Sequence, residues 1–192
     1  MTNIYLENKR LLDIVNLQDK IIDQKPRSEV HRLGLRHREI HVWFFDKNKN
    51  IYFQKRGLHR PSAGLLDATI GGHVNRGEEY LAAAIRECKE EAGIKIKKED
   101  LFLLKKIKGT SNLSKDNISG TINNFFRAIY IYKFPITEKQ LKKEDGIPGG
   151  GFRKIGLPIL KNPTKEYAKL FTTFIFSDEI PLILEHIGKV NM

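Results

Sequence analysis

The sequence predicts an α/β chain. Three observations carry that reading. Strand-type apolar runs stand at residues 41–45, 51–55 and 125–134, one stretch of helical period covers 78–92, and turn residues punctuate the rest. No repeat divides the chain, and no linker is long enough to split it, so residues 1–192 are expected to form one domain.

The elements follow in order. Leu11 to Val15 and Ile21-Ile22 read as short strands joined by a turn around Asn16 to Asp19. Pro26 stops the second, and residues 28–31 open a short helix. His41-Val42-Trp43-Phe44-Phe45, the polar turn 46–50 and Ile51-Tyr52-Phe53-Gln54-Lys55 form a predicted hairpin. Residues 57–63 form a loop around Pro61, and residues 65–70 a strand ending at Gly71-Gly72. Between 78 and 92 the period changes: Leu81, Ile85, Cys88 and Ala92 recur at steps of four, three and four, one apolar stripe of a helix. Glu78 and Glu79 are expected in its first turn, where the helix dipole favours negative charge, and Gly93 where a helix-ending glycine belongs. A strand at 101–107, a polar loop at 109–124, the strong strand at 125–134, a Gly-rich loop at 142–151 and a short strand at 152–155 follow. Helices are expected at 164–174 and 180–187.

Composition excludes several classes. With 40% hydrophobic residues and 18 aromatics, the 192-residue chain can build a core and is not disordered as a whole. Its one cysteine, Cys88, rules out an internal disulfide framework and a zinc ribbon, and suits a reducing, cytoplasmic setting. The first ten residues lack the apolar run of a secretory leader, and no apolar stretch approaches a membrane span. The net charge of +11 points to an anionic partner without naming it.

The chemistry concentrates behind the glycine pair. Glu87, Glu90 and Glu91 fall at i, i+3 and i+4, so a helix places their carboxylates on one face. Like charges at that spacing repel, and a hard divalent cation removes the repulsion; oxygen ligands of this kind suit Mg²⁺ or Mn²⁺ rather than zinc. Such a cation beside a glycine turn can neutralise phosphate oxygens and activate water. The full pattern is Gly72, five residues, Glu78, seven residues, then Arg86-Glu87-Cys88-Lys89-Glu90-Glu91-Ala92-Gly93-Ile94. It matches every fixed letter of the Nudix box, and a chance match at one position is on the order of one in 10⁸.

The chain therefore resembles a Nudix hydrolase, with the box at residues 72–94. The resemblance implies a three-layer α/β/α sandwich with a mixed sheet, the box forming a loop–helix–loop. It implies Mg²⁺- or Mn²⁺-dependent hydrolysis of a diphosphate, by attack of water on phosphorus, in a nucleoside di- or triphosphate or a related small molecule. Glu87, Glu90 and Glu91 match the metal-binding glutamates, Gly71 a position whose carbonyl often joins them, and Arg86 the arginine that orients them. Glu91 or Glu90 is expected to take the water's proton. Lys55, Arg56 and Arg60 follow a strand leading towards the box and are candidates to grip substrate phosphates. His73 is a further substrate-binding candidate.

The region before the box is similar to isopentenyl-diphosphate isomerase and its Nudix relatives. Such isomerases hold a divalent metal with histidines near the positions of His31, His37 and His73, so an allylic isomerase is the alternative function. Against it, Gly71 stands where isomerases carry a catalytic cysteine, the glutamates of this box are intact, and Asn123 and Asn124 stand where a glutamate is required. The lysines at 95, 97, 98, 105, 106 and 108 permit a third function, cleavage of a diphosphate-linked RNA end; no RNA motif with interleaved aromatics accompanies them, and nucleic acid is the less favoured partner. Cys88 reads as a small buried hydrophobe. Glu144 and Asp145 read as a plain acidic loop. The sequence leaves room for a homodimer.

Overall fold

A computed structural model describes residues 8–58, 62–112, 122–142, 149–172 and 174–189. Its centre is a four-stranded mixed sheet in the order β6-β3-β8-β7. Strands β3 (Arg36–Trp43) and β8 (Ile122–Tyr132) run parallel, β6 (Ile70–His73) pairs antiparallel with β3, and β7 (Leu101–Asn112) pairs antiparallel with β8. A second sheet sets β4 (Ile51–Lys55) between β5 (Leu66–Asp67) and β9 (Gly151–Ile155).

Alternation along the strands divides the interior in two. Ile40, Val42, Ala128 and Tyr130 point to one core with Ala83, Ala84 and Cys88 of helix α2 (Tyr80–Ala92). Trp43, Ile129 and Ile131 point to the other, with Phe53, Ile155 and Ile180, Ile183 and Ile187 of the C-terminal helix α5 (Ile180–Lys189). Helices thus cover both faces of the mixed sheet, as the three-layer expectation required.

The N-terminal hairpin braces the box. Strands β1 (Leu11–Val15) and β2 (Ile21–Pro26) are joined by a turn in which Asn16 Oδ1 accepts the N–H groups of Gln18 and Lys20 at 2.9 and 3.1 Å. Buried Asp13 accepts the Gly77 N–H at 2.7 Å, which ties β1 to the turn before α2. Helix α1 (Arg27–Leu33) follows Pro26 directly and ends at Gly34, whose φ of 63° is left-handed.

Several elements differ from the sequence expectation. Strand β3 begins at Arg36 rather than at 41, because its inward positions hold His37, Glu39 and His41, which give no apolar signal. The predicted hairpin at 41–55 closes through a Phe45–Ile51 bridge, but β3 and β4 then part into different sheets. The strand predicted at 65–70 is two short pieces. Between them, buried Thr69 receives the Phe44 N–H at 3.1 Å and donates to the Tyr52 carbonyl, holding the switch from one sheet to the other.

The loop expected at 109–124 lies partly in β7 and β8, whose pairing runs out to Asn112 and Ile122; residues 113–121 lie outside the described residues. The predicted helix at 164–174 shortens to α4 (Lys165–Ala168), started by Thr164 Oγ1 on the Tyr167 N–H, because Phe171 bridges to β5 instead. A short α3 (Leu157–Lys161) precedes it, and a π-helical turn (Ile175–Glu179) leads into α5.

Candidate active site

Helix α2 carries the box. It starts at Tyr80, so Glu78 and Glu79 are not in its first turn; Glu78 instead folds back, its Oε2 accepting the Asn75 N–H at 2.9 Å. The buried face is centred on Tyr80, Ala84 and Cys88, with Leu81 and Ile85 half-buried at its edge, a rotation from the stripe the sequence suggested. Gly93 closes the helix with φ 68°, and the N–H of Ile94 reaches back to the Cys88 carbonyl at 3.1 Å. Burial pushes the Cys88 thiol well above its usual range, with Glu91 and Glu87 adding to it.

Arg86 organises the carboxylates. Its guanidinium donates to Glu78 (2.9 Å to each oxygen), to Glu87 (2.6 Å), to Glu90 (3.0 Å) and to the His73 carbonyl (3.0 Å). Burial works against ionisation of Glu78, yet the bonds from Arg86 and the Asn75 N–H bring its carboxyl below the usual range. Glu87 is only 7% exposed. Burial, with Glu90 beside it, pushes its pKa up to about 7, although Arg86 opposes the rise. Gly72 makes room for it: a Cβ there would stand 2.2 Å from the Glu87 carboxyl carbon. Glu91 accepts the Gly71 N–H at 3.2 Å and the Gln54 amide at 3.3 Å. Glu90 faces solvent.

The structure thus gathers Gly71, Arg86, Glu87, Glu90 and Glu91 at the mouth between β6, β4 and α2. The carboxylates do not converge on one point, since Arg86 lies between Glu87 and Glu90. A half-buried set of hard oxygen donors, one of which resists ionisation because it is buried, fits Mg²⁺ or Mn²⁺. Of the candidate phosphate ligands, Arg56 is committed to Asp67 at 2.5 Å, Lys55 is exposed at the end of β4, and Arg60 lies outside the described residues. Among the lysines after the box, Lys106 bonds Asp19 at 3.2 Å and covers the Tyr80 ring at 4.2 Å.

His73 belongs to a second constellation. His31, His37 and His73 offer ligand atoms within 4.8 Å of one another. Their rings pack 4.9–5.1 Å apart, and Nε2 of His31 and of His73 are 2.9 Å apart. Burial drives the His31 pKa down to about 4 and that of His73 well below its usual value, with neighbouring histidines adding to both. Glu39 stands 3.6 Å from His37 and 3.8 Å from His73. His37 Nε2 and Asn123 Oδ1 are buried without a hydrogen bond among the described residues. Arg127 and Asn123 donate to Glu39, each at 2.8 Å.

Gln54, Glu39, Arg127 and Glu179 are site residues the sequence reading did not single out, and Asn123 entered it only as a departure from the isomerase pattern. The available signal was polar residues at alternate positions of a strand, as in His37–Glu39–His41.

The fold and site define an α/β/α domain with a carboxylate-bearing helix behind a glycine turn, and comparison identifies the family. The model of the NUDIX domain matches residues 35–151, more than half of the chain. The chain belongs to the Nudix family. Nudix hydrolase 3 of Arabidopsis thaliana is 35% identical over 127 residues, 63% of this chain and 16% of that protein. An uncharacterised Nudix hydrolase of Clostridium acetobutylicum is 33% identical over 128 residues, 65% of this chain and 59% of that one. The chain thus covers less than two thirds of the length of either relative. Among solved structures, the MutT protein of Methanosarcina mazei superposes with a TM-score of 0.56 at 12% identity, covering 81% of this chain and 96% of that one. The Nudix domain of Shewanella oneidensis NrtR, solved with ADP ribose, superposes with a TM-score of 0.52 at 13% identity, covering 78% of this chain and 87% of that one. No helix among the described residues is long and apolar enough to cross a membrane.

Proposed function

We propose that the protein is a metal-dependent Nudix pyrophosphohydrolase acting on a nucleoside di- or triphosphate or a related diphosphate-linked small molecule. The observation that carries the reading is the intact carboxylate set around Arg86, with Glu87 buried against Gly72. Glu87, Glu90, Glu91 and the Gly71 carbonyl would hold Mg²⁺ or Mn²⁺, which would neutralise phosphate oxygens and lower the pKa of a bound water. Arg86 keeps Glu87 and Glu90 in place, the Gly71 N–H and Gln54 fix Glu91, and Glu91 or Glu90 takes the water's proton. Lys55, exposed at the end of β4, complements the substrate's charge. The ADP ribose solved with the NrtR neighbour makes that compound the first substrate to try.

The test is a panel of nucleotides, nucleotide sugars, ADP-ribose, dinucleotides, capped RNA and isopentenyl diphosphate with Mg²⁺ or Mn²⁺, the products being identified. Cleavage at a diphosphate, lost in Glu91→Gln with the fold intact, is the expected result. Full activity in Glu91→Gln removes the metal assignment.

The histidine cluster favours a second reading, the isomerase-type one, because it brings together the residues at which that branch binds a metal. Conversion of isopentenyl diphosphate to its allylic isomer without phosphate release would establish it. The glycine at position 71, the intact box and the amides at 123 and 124 keep hydrolysis in front.

A further inference from the structure

The histidine cluster has a carboxylate of its own, and it comes from the same strand as His37. Glu39 follows His37 by two positions, so both side chains leave β3 on one face, and both are buried. Glu39 Oε2 takes two bonds from Arg127, at 2.8 and 3.2 Å, and Arg127 is braced in turn by Glu179 at 2.7 Å. Glu39 Oε1 takes the Asn123 amide at 2.8 Å and faces Nε2 of His37 at 3.6 Å and of His73 at 3.8 Å. A guanidinium and an amide thus aim one carboxylate oxygen at the rings.

The rings present nitrogens to match. Nδ1 of His37 lies 3.1 Å from the Leu35 carbonyl, an acceptor only, so Nδ1 donates there and Nε2 is turned inward. One ring nitrogen tied to a backbone carbonyl and the other free is how metal-ligating histidines are oriented. His37 is fully buried and its Nε2 has no hydrogen-bond partner among the described residues, which is costly unless something occupies the space between the rings. Ligand atoms about 2.0–2.2 Å from a tetrahedral ion lie roughly 3.3–3.5 Å from one another. The separations here, 2.9 Å between His31 and His73 and 3.6 and 3.8 Å to Glu39, bracket that spacing. Three nitrogens and one oxygen suit zinc and its neighbours in the first transition row, whereas the all-oxygen box suits Mg²⁺ or Mn²⁺. His31 and His73 are half-buried, which leaves an ion a way in. Arg27 faces both of these rings, and its charge weakens cation binding without supplying a ligand.

His73 belongs to both constellations. Its side chain faces the cluster, and its carbonyl accepts Arg86 at 3.0 Å, the residue that brackets Glu78, Glu87 and Glu90. We propose that Glu39 joins His31, His37 and His73 in a second metal site, for a zinc-type transition ion, and that filling it steadies Arg86 through the His73 carbonyl and so tightens Mg²⁺ binding in the box. The second site stands whichever reaction the box performs; the coupling rests on the metal-binding reading of the box carboxylates.

Co²⁺ and Zn²⁺ are the probes, on the full chain stripped with EDTA and returned to buffer with excess Mg²⁺ to occupy the box. The wild type should take up one Co²⁺ per chain with the intense visible bands of a four-coordinate ion. Glu91→Gln should keep that spectrum and His31→Gln, at a half-buried position, should lose it. Glu39→Gln should weaken Co²⁺ at least about a hundredfold, beyond the roughly 10–100-fold expected of a partner that only orients a ligand. By calorimetry, the zinc-loaded wild type should bind Mg²⁺ at least about fivefold more tightly than the zinc-free protein, with no such difference in His31→Gln. Weak six-coordinate bands, Co²⁺ lost in Glu91→Gln but kept in His31→Gln, a smaller loss in Glu39→Gln, or Mg²⁺ affinity indifferent to zinc overturns the proposal. If Glu39→Gln does not fold, the spectra of His31→Gln and Glu91→Gln and the Mg²⁺ titrations decide. Failure to cleave any member of the hydrolysis panel, with the Co²⁺ results intact, counts against the hydrolase reading instead.

Discussion

Glu87 makes a measurable claim about the metal-free protein. Its carboxyl is 7% exposed and its pKa is pushed up to about 7 from an ordinary 4.5. A group whose folded pKa is raised binds more protons folded than unfolded. Its favourable contribution is therefore complete below pH 4.5 and is lost as pH rises to about 7. The loss amounts to roughly 3 kcal/mol, at 1.36 kcal/mol per pH unit. Glu87→Gln keeps the shape and removes the titration. Urea denaturation in EDTA at pH 5 and pH 8 should show the variant gaining about 2.5 kcal/mol on the wild type between the two conditions, since part of the loss has already occurred at pH 5. Titrating groups that do not interact with Glu87 cancel in that double difference. Saturating Mg²⁺ at pH 8 should stabilise the wild type and not the variant. A double difference below about 0.5 kcal/mol would mean that Glu87 is solvated or fully offset by Arg86, and would remove the electrostatic argument for a cation at this position.

Other perturbations test neighbouring parts. Arg86→Ala leaves Glu87 buried without its counter-charge and should cost about 3 kcal/mol of stability in EDTA, read by the same denaturation. Gly72→Ala forces the Glu87 side chain aside and should weaken Mg²⁺ binding at least about tenfold by calorimetry with little change in melting temperature. Asp13→Ala releases the Gly77 and Gln24 donors and should destabilise the protein by about 1–2 kcal/mol, with faster amide exchange in the turn before α2. Cys88 should resist a thiol reagent in the native state and react at once in denaturant; rapid native labelling would contradict its placement in the core.

The legibility of this protein in its sequence follows its hydrophobic contrast. Helix α2 could be read because a glycine stop, an apolar stripe and a run of glutamates coincide in thirteen residues, and the box fixed their roles. Its phase was off by about one position because Ala83 and Ala84, the residues deepest against the sheet, are weaker apolar signals than Leu81 and Ile85. Strand β3 was half read for the opposite reason: the sheet's inward face there is a row of His37, Glu39 and His41, paid for by partners more than 80 residues away in Asn123, Arg127 and Glu179. Nothing local in the sequence says that a histidine in one strand has its carboxylate in the last turn before the C-terminal helix.

That same feature explains why net charge was a weak guide. The chain carries +11, yet the polar interior is balanced by specific pairs: Arg127 answers Glu39 and Glu179, Arg86 answers Glu78 and Glu87, and Arg56 answers Asp67. These arginines are spent on orienting acids and are not free to draw in an anion. The excess lies instead on exposed lysines such as Lys55, where screening limits it to guiding approach. An anion that arrives meets a mouth lined by carboxylates, so charge attraction alone cannot hold it there. Under the proposed function, a diphosphate would be held there only with a cation that reverses the sign of the mouth, and burial of Glu87, which disfavours its charged form, is the feature such a cation would offset.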